Sequence, residues 1–490
     1  MSEQNMDHQT LAATDEAGQT GAPVRLERDS LGEREVPAGA YWGISTLRAV
    51  ENFPISGRPV GSMRSLLWAF GSVKCAAARA NTALGLLDAE RGLAIEVAAL
   101  EVRDGVFDTE FPVDRIQGGA GTSTNMNVNE VIANRALEIL GFEKGDYAQL
   151  DPIDHVNRGQ STNDTYPTAV KISLQSALLD YCREHQLLIN SFAAKGSQFA
   201  GIVKVGRTQL QDAVPMTLGQ EFGAFAETLR EDLARMNELS PHLKEINLGA
   251  TAIGTGITAH PEYRSRVTLE LNGLTGLGLV SAHDLVEATS DTGVFMLLSG
   301  VLKRSAVKLS KICNDLRLLS SGPQSGFNEI FLPAVQAGSS IMPGKVNPVI
   351  PEVVNQVAFK VVGADATVTM AVEAGQLQLN AFEPVMADCL LESMEWLTSA
   401  CRTLRTKCVD GIEANEPVLA RRMAESVSIV TGMAPFIGYT HAAALAKESL
   451  ATGRGIRELV IAQGLLEADR LDALLSPSAL AGFPVPTPTH

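Results

Sequence analysis

Residues 295–312 read FMLLSGVLKRSAVKLSKI, and Phe295, Leu298, Leu302, Ser305, Leu309 and Ile312 step through them by three and four. Side chains at that spacing share one face of an α-helix, so the stretch predicts a long helix with a narrow apolar stripe. Val354, Val357, Val361, Ala364, Val368 and Ala371 repeat the pattern. A third helix is expected after Asn163, with Val170, Leu174, Ala177, Tyr181 and Leu188 on one face, and a fourth from near Thr217 past Leu233. A narrow stripe needs neighbours on more than one side. The economical reading is a bundle of about five long helices between residues 161 and 416, and a mainly α fold.

Working outward, residues 25–160 form an N-terminal mixed domain, with short alternating segments and turns to about residue 60 and helices from Ser62 to Glu101. After Glu416 the periodic segments shorten between Gly432, Gly438, Gly453 and Gly455, which predicts a small helical C-terminal domain over 417–490, ending in the extended tail Phe483-Pro484-Val485-Pro486. Residues 1–24 are polar without an apolar h-region and read as a disordered leader.

The composition narrows the function. With 40 basic against 56 acidic residues, net −16, and no basic cluster, the chain has no surface suited to nucleic acid. No apolar run reaches the roughly 20 residues of a bilayer span. The six cysteines are scattered, without a CxxC pair or a histidine at ligand spacing. That usage points to reduced thiols in a soluble cytoplasmic protein and away from a metal or disulfide framework.

The longest stretch without periodicity, Ser320 to Asn347, is rich in Gly, Ser and Pro and lies between two long helices. A loop of that length inside a compact core is uncommon unless it works. It contains Gly338-Ser339-Ser340-Ile341-Met342-Pro343-Gly344-Lys345-Val346-Asn347-Pro348. Three further polar clusters are Gly121-Thr122-Ser123-Thr124-Asn125, Gln160-Ser161-Thr162-Asn163-Asp164 and Gly206-Arg207-Thr208-Gln209-Leu210-Gln211-Asp212, each expected at or near the mouth of a helix. Any one of them alone reads as an ordinary helix cap. Together, hydroxyls, amides and free N–H groups make a carboxylate-binding surface.

These clusters, with Arg25-Leu26-Glu27-Arg28-Asp29-Ser30-Leu31-Gly32 and Thr46-Leu47-Arg48-Ala49-Val50-Glu51-Asn52-Phe53, resemble the aspartase/fumarase superfamily from about residue 25 to 480. The resemblance implies a homotetramer whose central bundles associate into a superhelical core, with each active site shared among three subunits. It implies Ser339 as catalytic base, Lys345 and Asn347 as ligands of the substrate carboxylate, and Thr122, Ser161, Thr162, Asn163, Thr208 and Ser340 around the substrate. It implies no organic cofactor, and leaves open activation by a divalent metal such as magnesium.

The chemistry asks for such a set. A proton beside a carboxylate is very weakly acidic, so the site must stabilise a doubly charged aci-carboxylate with preorganised donors. A serine oxyanion can be the base where Lys345 and loop N–H groups lower its pKa in a closed, dry site, and a Gly/Ser/Pro loop can supply the closure.

Within the superfamily, fumarase-like sequences carry His after Thr208, paired with a carboxylate at the position of Glu352. Here the residue is Gln209, which cannot shuttle a proton. The resemblance therefore implies elimination of ammonia from L-aspartate to give fumarate, with class II fumarate hydratase as the alternative. A lyase acting on a larger substrate and a scaffold that has lost its chemistry are further readings, the last opposed by the intact set of residues. His155, six residues before Ser161, reads as a structural histidine of its loop, with general acid for departing ammonia as the alternative, and Glu352 as a first-turn carboxylate completing the network. Two departures stand out: Gly344, where aspartases more often carry Ala, and Gly159, where Ser is usual.

Overall fold

The computed structural model describes residues 23–338, 340–476 and 479. Most of the leader, the Phe483–Pro486 tail and Ser339 lie outside the described residues. The chain opens with an antiparallel hairpin, β1 (Val24–Asp29) and β2 (Gly32–Pro37), paired from Val24↔Pro37 to Asp29↔Gly32. Four helices follow: α1 (Ile44–Asn52), α2 (Arg64–Ala83), α3 (Ala89–Arg103) and α4 (Thr122–Ile139). The start of α1 is held by buried carboxylates. Glu130 accepts from the N–H groups of Gly43, Ser45 and Thr46 at 2.8–3.1 Å, and Glu27 from that of Ile44 at 2.7 Å.

Five long helices come next: α5 (Thr162–Gln198), α6 (Leu218–Leu243), then, after α7 (Tyr263–Thr275) and α8 (Leu285–Ser290), α9 (Gly293–Leu319), α10 (Val349–Glu373) and α11 (Glu383–Lys407). The expected stripe of α9 is buried throughout, and on α10 Val354, Val361, Val368 and Ala371 are buried while Val357 and Ala364 are half-buried. Ser305, the polar member of the α9 stripe, is explained by Tyr181 of α5, whose hydroxyl lies 2.7 Å from its Oγ. Asp365 of α10 accepts from Ser299 at 2.8 Å and from Lys303 at 2.6 Å, pinning α10 to α9. One apolar cluster joins α2–α4 to the bundle and reaches Leu419 in α12 (Glu416–Glu425). Helices α13 (Ile429–Ile437), α14 (Tyr439–Thr452), α15 (Ile456–Ala462) and α16 (Ala468–Leu474) enclose a smaller cluster of their own. No helix among the described residues is long and apolar enough to cross a membrane.

The cluster at 206–212, expected at a helix mouth, is instead the tip of a hairpin formed by β3 (Val203–Thr208) and β4 (Gln211–Thr217). Val203 and Val205 alternate with polar residues at period two, which suits a pleated strand, and α6 begins only at Leu218, capped reciprocally by Thr217 and Gln220 at 3.0 and 2.9 Å. Thr208 pairs with Gln211, leaving Gln209 and Leu210 as a two-residue turn with φ of 53° and 62°. That turn type favours Asn-Gly. Two ordinary side chains in the left-handed region cost on the order of 1–3 kcal/mol each, and within the single chain both are exposed.

Glu383, the first residue of α11, is buried, and burial raises its carboxyl to about 8 against the opposing pull of Lys171. Its folded pKa lies above its unfolded one, so its contribution to stability is full below about 4.5 and is lost as pH rises through about 8. Glu383→Gln, which keeps the neutral shape, is expected to reduce the fall in Tm between pH 5 and pH 8; an unchanged pH dependence would contradict this. Leu210→Gly is expected to raise stability by about 1 kcal/mol by relieving the left-handed backbone, measured as a shift in denaturation midpoint.

Candidate active site

The polar clusters gather in two places. At the first, α4 and α5 begin side by side. Ser161 caps α5: its Oγ accepts from the Asn163 N–H at 3.2 Å, while Asp164 Oδ1 accepts from the Ser161 N–H at 2.9 Å. The other oxygen of Asp164 accepts from the N–H groups of Gly249 and Thr251 at 3.1 and 2.8 Å, folding that loop over the helix start. Asp164 is fully buried, and burial raises it to about 6 against these hydrogen bonds. The Asn163 amide donates to the Ala252 carbonyl at 2.8 Å. Thr122, at the first position of α4, is exposed and donates to the Gly119 carbonyl at 2.7 Å.

Beneath these residues lies a group that the sequence did not single out. Lys74 of α2 is completely buried, and its ammonium donates to Asn125 Oδ1 at 2.8 Å, Gln160 Oε1 at 2.9 Å and Asn157 Oδ1 at 3.0 Å. Burial pulls it down to about 7, while Asp164 pulls the other way. Asn125 Nδ2 donates in turn to Thr162 Oγ1 and Asn157 Oδ1, both at 3.2 Å, which joins the 121–125 and 160–164 clusters. A lysine inside an apolar helix carries no spacing signal of its own, so only the fold reveals it. His155 sits on the single π-helical turn Pro152–Val156, where its Nδ1 accepts from the Asp151 N–H at 2.8 Å, and burial lowers its pKa. It serves its own loop as a neutral acceptor.

The second place holds the hairpin tip and the long loop. Arg207, just before the exposed Thr208 and Gln209, stacks on Phe327 at 4.3 Å and donates to Glu329 at 2.5 Å. The buried Glu329 also meets Lys204 at 2.8 Å and Arg422 of α12 at 3.2 Å, and Arg207 and Lys204 hold its carboxyl below the usual carboxylate range despite burial. In the loop, Asn347 Nδ2 donates to the Gly338 carbonyl at 2.6 Å and closes its neck. Ser340 and Lys345 are exposed, and Lys345 has no ion-pair partner among the described residues. Glu352 lies in the first turn of α10. Both unexpected glycines occupy left-handed backbone, Gly159 at φ 72° and Gly344 at φ 80°, where a side chain would be strained.

These two places stand at opposite ends of the bundle. Asn247 bonds both the Asn163 carbonyl and Thr289, which sets the start of α9 beside the start of α5. At the other end Asn355 bonds Ser310, so α10 begins beside the last turns of α9, and Glu329 follows α9 to reach Arg207. The 37 residues of α5, which span ~55 Å at 1.5 Å per residue, run between the two ends. An apolar groove of ≈ 410 Å³ between Ile202 and the C-terminal helices contains none of these residues.

A family model described as "Lyase" matches residues 32–363, and one described as "Fumarase C C-terminus" matches residues 429–482. The chain is 55% identical to aspartate ammonia-lyase from Pseudomonas fluorescens over 459 residues, 94% of this chain and 96% of that one. Its fold superposes on fumarate lyase:delta crystallin from Brucella melitensis bound to cobalt with a TM-score of 0.92, at 54% identity, covering 94% of this chain and 100% of that one. A class II fumarase from Schistosoma mansoni superposes with a TM-score of 0.88 but at 34% identity, covering 94% and 99%. The chain thus belongs to the lyase family that these proteins represent, the aspartase/fumarase superfamily.

Proposed function

We propose that the chain catalyses the reversible elimination of ammonia from L-aspartate to give fumarate, as a carbon–nitrogen lyase. The observation that carries this is the 55% identity, over 94% of the chain, to an aspartate ammonia-lyase, against 34% to a class II fumarase. Gln209 at the hairpin tip agrees with it, because an amide cannot pass the proton that hydration requires.

In this reading Ser339 abstracts the C3 proton, and Lys345 and Asn347 hold the carboxylate on which the aci-carboxylate charge develops. Thr122, Ser161, Thr162, Asn163, Thr208, Gln209 and Ser340 supply hydrogen bonds around the substrate, with Glu352 and His155 in support. Because α5, ~55 Å long, runs from Thr162 to the end where the hairpin and loop lie, this reading brings the two halves together between chains. A homotetramer with sites shared among three subunits satisfies that requirement. Exposed apolar side chains on the outer faces of α9 and α10, among them Phe359 at 66% and Met370 at 73% exposure, support burial against further copies. All six cysteines are unpaired, in keeping with a cytoplasmic protein.

Purified protein mixed with L-aspartate is expected to produce the ultraviolet absorbance of fumarate, with or without magnesium, and malate is not. Signal from malate alone would overturn the assignment. Ser339→Ala should lower kcat by roughly 10²–10⁴-fold while assembly persists. For the shared site, Ser339→Ala and Thr162→Val chains dissociated and reassociated together should regain part of the activity that each lacks alone; no recovery would show that both residues serve one chain's site.

A further inference from the structure

The ammonium of Lys74 has an unusual environment. It is completely buried, no carboxylate bonds it, and three side-chain amide oxygens converge on it. Asp164 attracts it without bonding it, and a buried cation with no carboxylate in hydrogen-bond contact is costly, so a site that keeps one has a use for it. Three acceptors facing one nitrogen call for three N–H donors, which the ammonium has and the neutral amine lacks.

The consequence is directional. An amide whose oxygen faces Lys74 must turn its NH₂ away. Asn125 therefore keeps its NH₂ off the ammonium: one N–H goes to Asn157 Oδ1, itself an acceptor of Lys74, and the other outward to Thr162 Oγ1, each at 3.2 Å. Gln160 likewise sends its NH₂ to the Val156 carbonyl at 3.0 Å. With the two amides exchanged in direction, Thr162 would have to donate to Asn125. As arranged, the Thr162 hydroxyl accepts from Asn125, and its own proton has no acceptor among the described residues. Thr162 is half-buried at the first position of α5, where the helix dipole also favours an anion.

We propose that Lys74 is a positioning residue for the elimination: it fixes the hydrogen-bond direction of Asn125, so that Thr162 is held as a donor to the substrate carboxylate. This rests on the reading of Thr162 as a substrate ligand. Lys74 acts through Asn125 and touches no reacting atom. Its charge also stands three hydrogen bonds from the dianion, through Asn125 and Thr162, and a low-dielectric path screens it little.

The test is a set of cycles in the assembled enzyme, with kcat and KM for L-aspartate, Tm and oligomeric state measured for each protein. Lys74→Met and Thr162→Val should each lower kcat/KM by about 10²-fold, the scale of one lost donor. The double variant should be no worse than the poorer single one, because both remove the same donor. Since Lys74→Met leaves amide oxygens unpaired and can fail to fold, Asn125→Asp provides a second route. It adds a carboxylate beside Lys74, which should hold or raise Tm, yet it takes the N–H from Thr162. Activity should fall, and Thr162→Val should cost little more in that background. Additive losses in either cycle, or full activity in Asn125→Asp, would overturn the relay while leaving Thr162 a ligand. An unaltered kcat/KM in Thr162→Val would instead overturn the ligand reading itself, and with it the proposal.

Discussion

A helix of 37 residues cannot bend its ends together. The length of α5 fixes the distance between the polar cluster at its start and the hairpin and loop beyond its end, and nothing elsewhere in the fold shortens it. The remaining architecture follows from that rod. Its apolar face demands α2, α6 and α11 as neighbours, while α9 packs on α6 and α10; the alternating directions of these helices carry the long loop and the 206–212 tip to the end away from the start of α5.

Each half is built rigidly despite lying at helix ends and loops. At one end the paired carboxylate oxygens of Asp164 tie the start of α5 to the loop at 249–251, while Lys74 orders the amides below it. At the other end Glu329 gathers Lys204, Arg207 and Arg422, which binds the hairpin, the root of the long loop and α12 through one buried anion. Both devices use a buried charge whose removal would leave its partners unsatisfied, so they contribute definition of geometry more than net stability. An elimination that depends on donors aimed at a developing charge needs that definition.

The strained elements fall in the same places. Gln209 and Leu210 adopt left-handed backbone without glycine, while Gly159 and Gly344 supply glycine where a side chain would be strained. In the first case the sequence keeps two side chains at a turn that would be more stable without them, which points to a use for at least one of them.

The sequence by itself determined the long helices, because a stripe repeating by three and four leaves few alternatives, and it marked the polar clusters, because Ser, Thr, Asn and Gly runs are rare within such helices. It expected the 160–164 cluster at a helix mouth, where Ser161 caps α5, and it marked the long loop before Asn347 as a candidate site. It did not reveal the hairpin at 203–217, whose short strands compete poorly with the helical periodicity around them. Nor could it reveal Lys74, whose role arises from three amides contributed by residues 51, 83 and 86 positions away. Only the tertiary structure decided which clusters meet within one chain, since periodicity fixes the face a residue occupies but not the end of the bundle at which it lies.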